Sequence, residues 1–87
     1  MKAQEWKFII YRLLDNTYNY YGLSVREDSY QVDVKGENML DVWINTKSSY
    51  IVCLRIIAEL EKNGCRVILE FPNGTYYKLK VTVPNEE

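Results

Sequence analysis

The side chains that could do chemistry in this 87-residue chain are few, and the first are two cysteines, Cys53 and Cys65. The sequence contains no histidine. Zinc sites that combine cysteine with histidine, and catalytic triads or dyads that need a histidine base, are therefore excluded. Cys53 falls on the apolar side of a predicted helix and Cys65 on the inward side of a predicted strand, so we expect two buried free thiols in a reducing compartment.

Paired carboxylates are the next candidates. Asp33 and Asp41 both fall on the polar side of predicted neighbouring strands, where they could lie across from each other and bind a divalent cation or share a proton. A solvated acidic face with Lys35 and Arg66 nearby is the commoner arrangement, because like charges on neighbouring strands cost little at a wet surface. We therefore predict neither a metal site nor a cofactor.

Hydroxyl nucleophiles and phosphate-binding loops find no support either. Thr46, Ser48 and Ser49 have no base to activate them, and the four glycines lie at predicted element boundaries without forming a nucleotide-binding motif. The segment "NGT", residues 73–75, has the form of a glycosylation acceptor, but Asn-Gly favours a type I′ hairpin turn and the N-terminus lacks the features of a secretory signal. The sequence thus predicts no catalytic residues and a chain that is not an enzyme.

The periodicity of the apolar residues predicts the elements that must position these side chains. Helical spacing predicts helices over about residues 3–20 and 49–63, the first ending at a glycine and the second beginning in a stretch rich in N-cap residues. Alternation of apolar and polar residues predicts five strands, over residues 23–26, 30–35, 40–45, 65–71 and 77–83. The order is αβββαββ.

This order predicts an α+β fold, with one mostly antiparallel sheet and two helices on the same face. The whole chain is read as a single small domain with an ordered core over about residues 4–83. Residues 39–71, a strand, a helix and a strand, could place two parallel strands side by side through a right-handed crossover, and the strand order stays open. On the helices, the side chains predicted to face the core are Trp6, Ile9, Ile10, Leu13, Leu14, Thr17, Tyr20, Tyr21, Tyr50, Cys53, Leu54, Ile57 and Leu60.

Composition narrows the choice of partners. The net charge of −1 gives no bulk attraction to phosphate backbones, although residues 47–66 carry four basic residues against two acidic ones. The chain has 47% apolar and 26% charged residues, which is ordinary for a folded domain, and no uninterrupted apolar run approaches the length that a bilayer requires. We predict a cytoplasmic protein that does not contact a membrane.

Two groups of aromatic residues are candidate recognition surfaces. Phe8, Tyr11 and Tyr18 fall on one stripe of the first helix, on the side predicted to be wet. Three aromatics in a row suggest an interface with a larger protein or with a second copy, although amphipathic tyrosines and a phenylalanine at the helix edge are equally ordinary there. The second group lies on the polar face of the sheet and consists of Trp43, Arg66, Ile68, Tyr76, Lys78 and Lys80.

Aromatic rings interleaved with basic residues on an open sheet can stack nucleic-acid bases, unless Trp43 is covered by another part of the chain or lies across its neighbours. The hypothesis we favour is a non-enzymatic protein-binding module. A small, mildly acidic chain with surplus surface aromatics is typical of stand-alone inhibitors or adaptors that dock on a larger protein, including, by analogy, those of phages and mobile elements that act on host enzymes. Single-stranded nucleic-acid binding through the sheet face is the alternative hypothesis.

Overall fold

A computed structural model of the chain describes residues 2–48 and 50–84, and it confirms the α+β class. Its elements are α1 (Ala3–Tyr20), β1 (Tyr30–Val34), β2 (Met39–Asn45), α2 (Tyr50–Lys62), β3 (Arg66–Glu70) and β4 (Tyr76–Thr82). The predicted start of α2 at Ser49 lies outside the described residues. Neither helix has an apolar stretch of the length and composition needed to cross a bilayer.

The four strands form one antiparallel sheet in the order β1-β2-β4-β3. The crossover from β2 through α2 therefore does not place β3 beside β2, because β4 lies between these two parallel strands. β1 and β3 form the two edges of the sheet. The fold has one strand fewer than the sequence predicts, since residues 23–26 belong to no strand.

Local hydrogen bonds explain why residues 23–26 stay outside the sheet. The Arg26 N–H donates to Ser29 Oγ at 2.7 Å, and the Ser29 N–H donates to the Arg26 carbonyl at 3.1 Å, which closes a turn where the sequence suggested a strand. Val25 is exposed although it alternates with polar neighbours. Apolar alternation over only four residues is therefore outweighed by serine-to-backbone bonding.

Both helices end in the same way, at a glycine with positive φ. After α1, the Gly22 N–H donates to the Asn19 carbonyl and the Leu23 N–H donates to the Tyr18 carbonyl. After α2, the N–H groups of Gly64 and the next residue make the equivalent bonds to the carbonyls of Glu61 and Leu60. These are Schellman motifs, which need a left-handed residue, and φ is 67° at Gly22 and 90° at Gly64.

The core lies between the two helices and one face of the sheet. α1 packs over β1 and β2, and α2 packs beside α1 and over β3. Inward-facing and outward-facing residues alternate as predicted in β1 and β4, whereas in β2 Asp41 and Asn45, on the face predicted to be wet, are buried as well. The largest fully buried side chains are Tyr18, Ile10, Leu14, Leu40, Ile44, Ile56, Leu60, Leu79, Val32, Val42, Val52 and Val81.

The predicted turn over residues 72–74 differs in its geometry. No residue other than glycine has positive φ in the described chain, so Asn73 does not adopt the conformation that a type I′ turn requires. Residues 71–75 instead form a longer loop in which Asn73 Oδ1 accepts hydrogen bonds from the N–H groups of Thr75 and Tyr76, at 3.0 and 3.3 Å. The asparagine thus closes the turn with its side chain.

Candidate interaction surfaces

The aromatic stripe predicted on α1 does not form a continuous surface. Tyr18 is only 1% exposed, so the prediction that it faces solvent is wrong. Its ring meets the Tyr30 ring edge-on at 5.2 Å, and its hydroxyl hydrogen-bonds with Ser48 Oγ and donates to the Ser29 carbonyl at 3.3 Å. Tyr20, which the sequence places in the core, is 69% exposed, and its ring lies 4.8 Å from the guanidinium of Arg55.

The Tyr11 side chain contacts β1 instead of pointing away from the fold. The Val32 N–H donates to the Tyr11 hydroxyl at 3.2 Å, and the Tyr11 and Tyr30 rings lie 6.0 Å apart. Among the described residues β1 pairs with β2 alone, so the Val32 N–H that reaches Tyr11 is an edge group of the sheet. Tyr11 therefore caps the outer edge of β1.

Phe8 is the one member of the predicted stripe that faces solvent, with 66% of its surface exposed. Of its neighbours one helical turn away, Gln4, Glu5 and Arg12 are polar or charged, and the fourth, Tyr11, is directed at β1. A single exposed ring among polar residues is common on protein surfaces and does not make a patch.

The residues predicted on the open sheet face do lie together. The register pairs Trp43 with Lys78, Asp41 with Lys80 and Lys80 with Ile68, so the six predicted residues share one face, with Arg66 at one corner and Tyr76 at the other. The Trp43 and Tyr76 rings meet edge-on at 6.2 Å. They line a groove of about 490 Å³. Trp43 is partly buried and contacts Tyr76 and Lys78.

The charges on this face are balanced. Lys78 Nζ lies 3.6 Å from Asp41 Oδ2, 3.9 Å from Glu70 Oε1 and 5.0 Å from the centre of the Trp43 ring. Asp33 lies directly opposite Asp41, as the sequence suggested. Three acidic residues thus stand against Arg66, Lys78 and Lys80, and the face has no cationic excess. Among the described residues, no three histidine, cysteine, aspartate or glutamate side chains are grouped so that they could hold one metal ion.

A third surface, which the sequence interpretation missed, is formed by α2 and the end of β3. We call it the helix–hairpin patch and define it by Tyr50, Leu54 and Phe71, which are 41%, 49% and 60% exposed. Tyr50 and Phe71 stack at 6.5 Å, and each ring lies 5.3 Å from Tyr77, which anchors the pair to β4. Leu54 lies one turn along the helix from Tyr50, on the same side. Three large apolar side chains therefore meet at the surface.

The composition of α2 contains the signal that could have revealed this patch. Eight of its first nine residues, 50–58, are apolar, and the exception is Arg55. A helix that is apolar on nearly all sides is either buried all round or exposes an apolar face. Here the face with Val52, Cys53 and Ile56 is fully buried, so the predicted burial of Tyr50 and Leu54 is wrong.

Burial makes two thiols and one tyrosine hydroxyl less acidic, by raising the pKa of each. Burial raises the pKa of the Cys53 thiol to about 12, and burial raises the pKa of the Cys65 thiol as well. Both are free and buried, as predicted. Burial also raises the pKa of the Tyr18 hydroxyl, more than its hydrogen bond with Ser48 lowers it. Thiols held protonated in this way are poor nucleophiles and poor metal ligands.

Comparison of the chain with protein-family models, with curated proteins and with solved structures finds no match.

Proposed function

We propose that this protein is a non-enzymatic protein-binding module, a small inhibitor or adaptor that docks on a larger protein through the helix–hairpin patch. The observation that carries the proposal is the clustering of Tyr50, Leu54 and Phe71 at the surface, held in place by the partly buried Tyr77. Aromatic side chains bring a large contact area with few rotatable bonds, and such anchors supply most of the energy of many interfaces.

The composition of the patch indicates the chemistry of the partner. Its three exposed side chains are aromatic or aliphatic. Arg55 follows Leu54 in the helix, but its guanidinium lies 4.8 Å from the Tyr20 ring of α1 and is not part of the patch. The partner we propose is therefore a protein with an apolar cleft.

The test compares two variants that remove exposed apolar surface from different places. Leu54→Ser combined with Phe71→Ser removes two members of the patch, while Phe8→Ser removes an exposed ring that has polar neighbours. Tagged wild type and both variants are used to capture proteins from the source cells, and captured proteins are quantified by mass spectrometry. A protein retained by the wild type and by Phe8→Ser, but lost with the double variant, supports the proposal.

Thermal unfolding of the three proteins provides the control. Because Leu54 and Phe71 are about half exposed, the double variant should stay folded, and loss of binding can then be assigned to the surface. A partner that is lost with Phe8→Ser and retained by the double variant would refute the patch and return the interface to α1.

Single-stranded nucleic acid is the second candidate, favoured by the Trp43–Tyr76 pair in its groove. Base stacking on these rings would quench the fluorescence of Trp43, and Trp43→Phe would remove the signal. The balanced charges of the face leave little attraction for a phosphate backbone, so binding would depend weakly on salt. Titration with labelled oligonucleotides at low salt, without any change in anisotropy, would eliminate this function.

A further inference from the structure

The two edges of the sheet differ in how they are protected. At the β1 edge, the Val32 N–H is occupied by the Tyr11 hydroxyl. At the β3 edge, no hydrogen bond from the described residues outside the sheet reaches the backbone of Arg66–Glu70. Alternate N–H and C=O groups of an edge strand point away from the sheet and can pair with another strand. β3 therefore presents an open pairing edge.

The sequence of β3 is complementary to itself when two copies run antiparallel. If Ile68 of one chain lies opposite Ile68 of the other, Arg66 lies opposite Glu70 of the other chain, and this contact occurs twice. Within one chain these two residues are four positions apart, about 13 Å along the strand, too far to form an ion pair. If Val67 or Leu69 lay opposite its own copy instead, neither of the two Arg66–Glu70 contacts would form.

We propose that β3 pairs with β3 of a second copy about a two-fold axis at Ile68, so that two four-stranded sheets become one continuous eight-stranded sheet. Arg66, Ile68 and Glu70 all lie on the open face, where Ile68 is 60% exposed. Pairing covers this isoleucine with its own copy and places an opposite-charge pair on each side of it. Val67 then lies opposite Leu69 of the second copy on the helix face, which continues the apolar layer across the axis.

Charge reversal tests the proposed register. Arg66→Glu places two acidic residues opposite each other at both ends of the strand pair, and Glu70→Arg places two basic residues there. Each variant should raise the dimer dissociation constant about tenfold or more, measured by sedimentation velocity over a range of concentrations. An equimolar mixture of the two variants should associate as the wild type does. In the mixed pair, the glutamate introduced in one variant meets the arginine introduced in the other, and the remaining native Glu70 meets the remaining native Arg66.

A disulfide provides a second measurement that does not depend on charge. Ile68→Cys places a thiol opposite its own copy, within reach of an intermolecular disulfide, while Cys53 and Cys65 are buried and do not compete. Lys80→Cys, on the same face but one strand inward, is the control and should not cross-link, because the two copies of residue 80 would be three strand spacings apart, roughly 14 Å.

The outcomes separate this proposal from the proposed function, since neither Arg66 nor Glu70 belongs to the helix–hairpin patch. A wild type that stays monomeric at the highest concentration studied would overturn the β3 pairing. So would single charge-reversal variants that associate like the wild type, a mixture that stays monomeric, or equal cross-linking of Ile68→Cys and Lys80→Cys. Partner capture through the patch would be unaffected by any of these results.

Discussion

Tyr18 provides the sharpest test of how α1 packs, because the sequence pattern and the structure assign it opposite environments. The sequence places Tyr18 in solvent and Tyr20 in the core, whereas the structure buries Tyr18 and exposes Tyr20. If the sequence pattern is right, Tyr20→Ala should destabilise the protein more than Tyr18→Ala. If the structure is right, Tyr18→Ala should destabilise it more. Tyr18→Phe then isolates the contribution of the hydroxyl alone.

The magnitudes follow from the contacts. Tyr18→Ala removes a buried ring that packs against Tyr30, which should cost about 4 kcal/mol. Tyr18→Phe should cost about 2 kcal/mol, because it removes two hydrogen bonds of about 1 kcal/mol each, while the Ser29 carbonyl keeps its other bond, from the Asn45 N–H at 2.8 Å. Tyr20→Ala removes an exposed contact with Arg55 and should cost less than about 1 kcal/mol.

The assay is urea unfolding followed by circular dichroism, with the free energy of unfolding extrapolated to water. A chain of this size has a total stability of roughly 4–13 kcal/mol, so the loss expected for Tyr18→Ala is between about a third and all of it. If Tyr20→Ala destabilises the protein more than Tyr18→Ala does, the packing described for α1 is refuted.

Three further predictions concern the core and its charges. Leu79→Asp should unfold the domain, because Leu79 is fully buried. Ile57→Asp should only lower the melting temperature, because Ile57 is half-buried. Equal melting temperatures for the two variants would contradict this difference in burial. The free energy of unfolding should fall as pH rises from about 9 towards 12, because the Cys53 thiol keeps its proton in the folded state while the unfolded state loses it. Cys53→Val should flatten this slope, measured by urea unfolding at several pH values. An unchanged slope would exclude the thiol as its cause. Asp33→Asn should raise the free energy of unfolding by about 0.5 kcal/mol, because it removes the repulsion opposite Asp41. The melting temperature of the wild type should not respond to magnesium or calcium. A rise with either ion that is lost in the variant would indicate a metal site.

The sequence predicts most of the elements because the signals for them are local. The bounds predicted for α1, residues 3–20, coincide with the observed helix, and the glycine after each helix has the left-handed conformation expected there. The alternation over residues 40–45 and 77–83 also predicts the correct inward faces of β2 and β4. Cross-strand neighbours on the open face, including Asp33 and Asp41, follow from the same alternation.

What could not be predicted depends on packing between distant parts of the chain. Tyr18 and Tyr20 lie on opposite flanks of the apolar stripe of α1, and only the position of β1, which supplies Tyr30, decides which flank is covered. In the same way, Tyr50 and Phe71 have the spacing of core residues but lie beyond the area that the two layers cover. The strand order likewise follows from long-range pairing, which no local pattern specifies.

The position of β4 has a consequence for the order in which the protein can fold during synthesis. β4 is the last strand in the described chain, yet it lies between β2 and β3 and is the partner of both. Until Tyr76–Thr82 has left the ribosome, β1 and β2 can form only a hairpin, and β3 lacks its partner strand in the same chain. The growing chain therefore keeps the core face of β3 and the inner side of α2 uncovered until late in translation, which makes this step the one at which the nascent protein is most open to aggregation or to binding by chaperones.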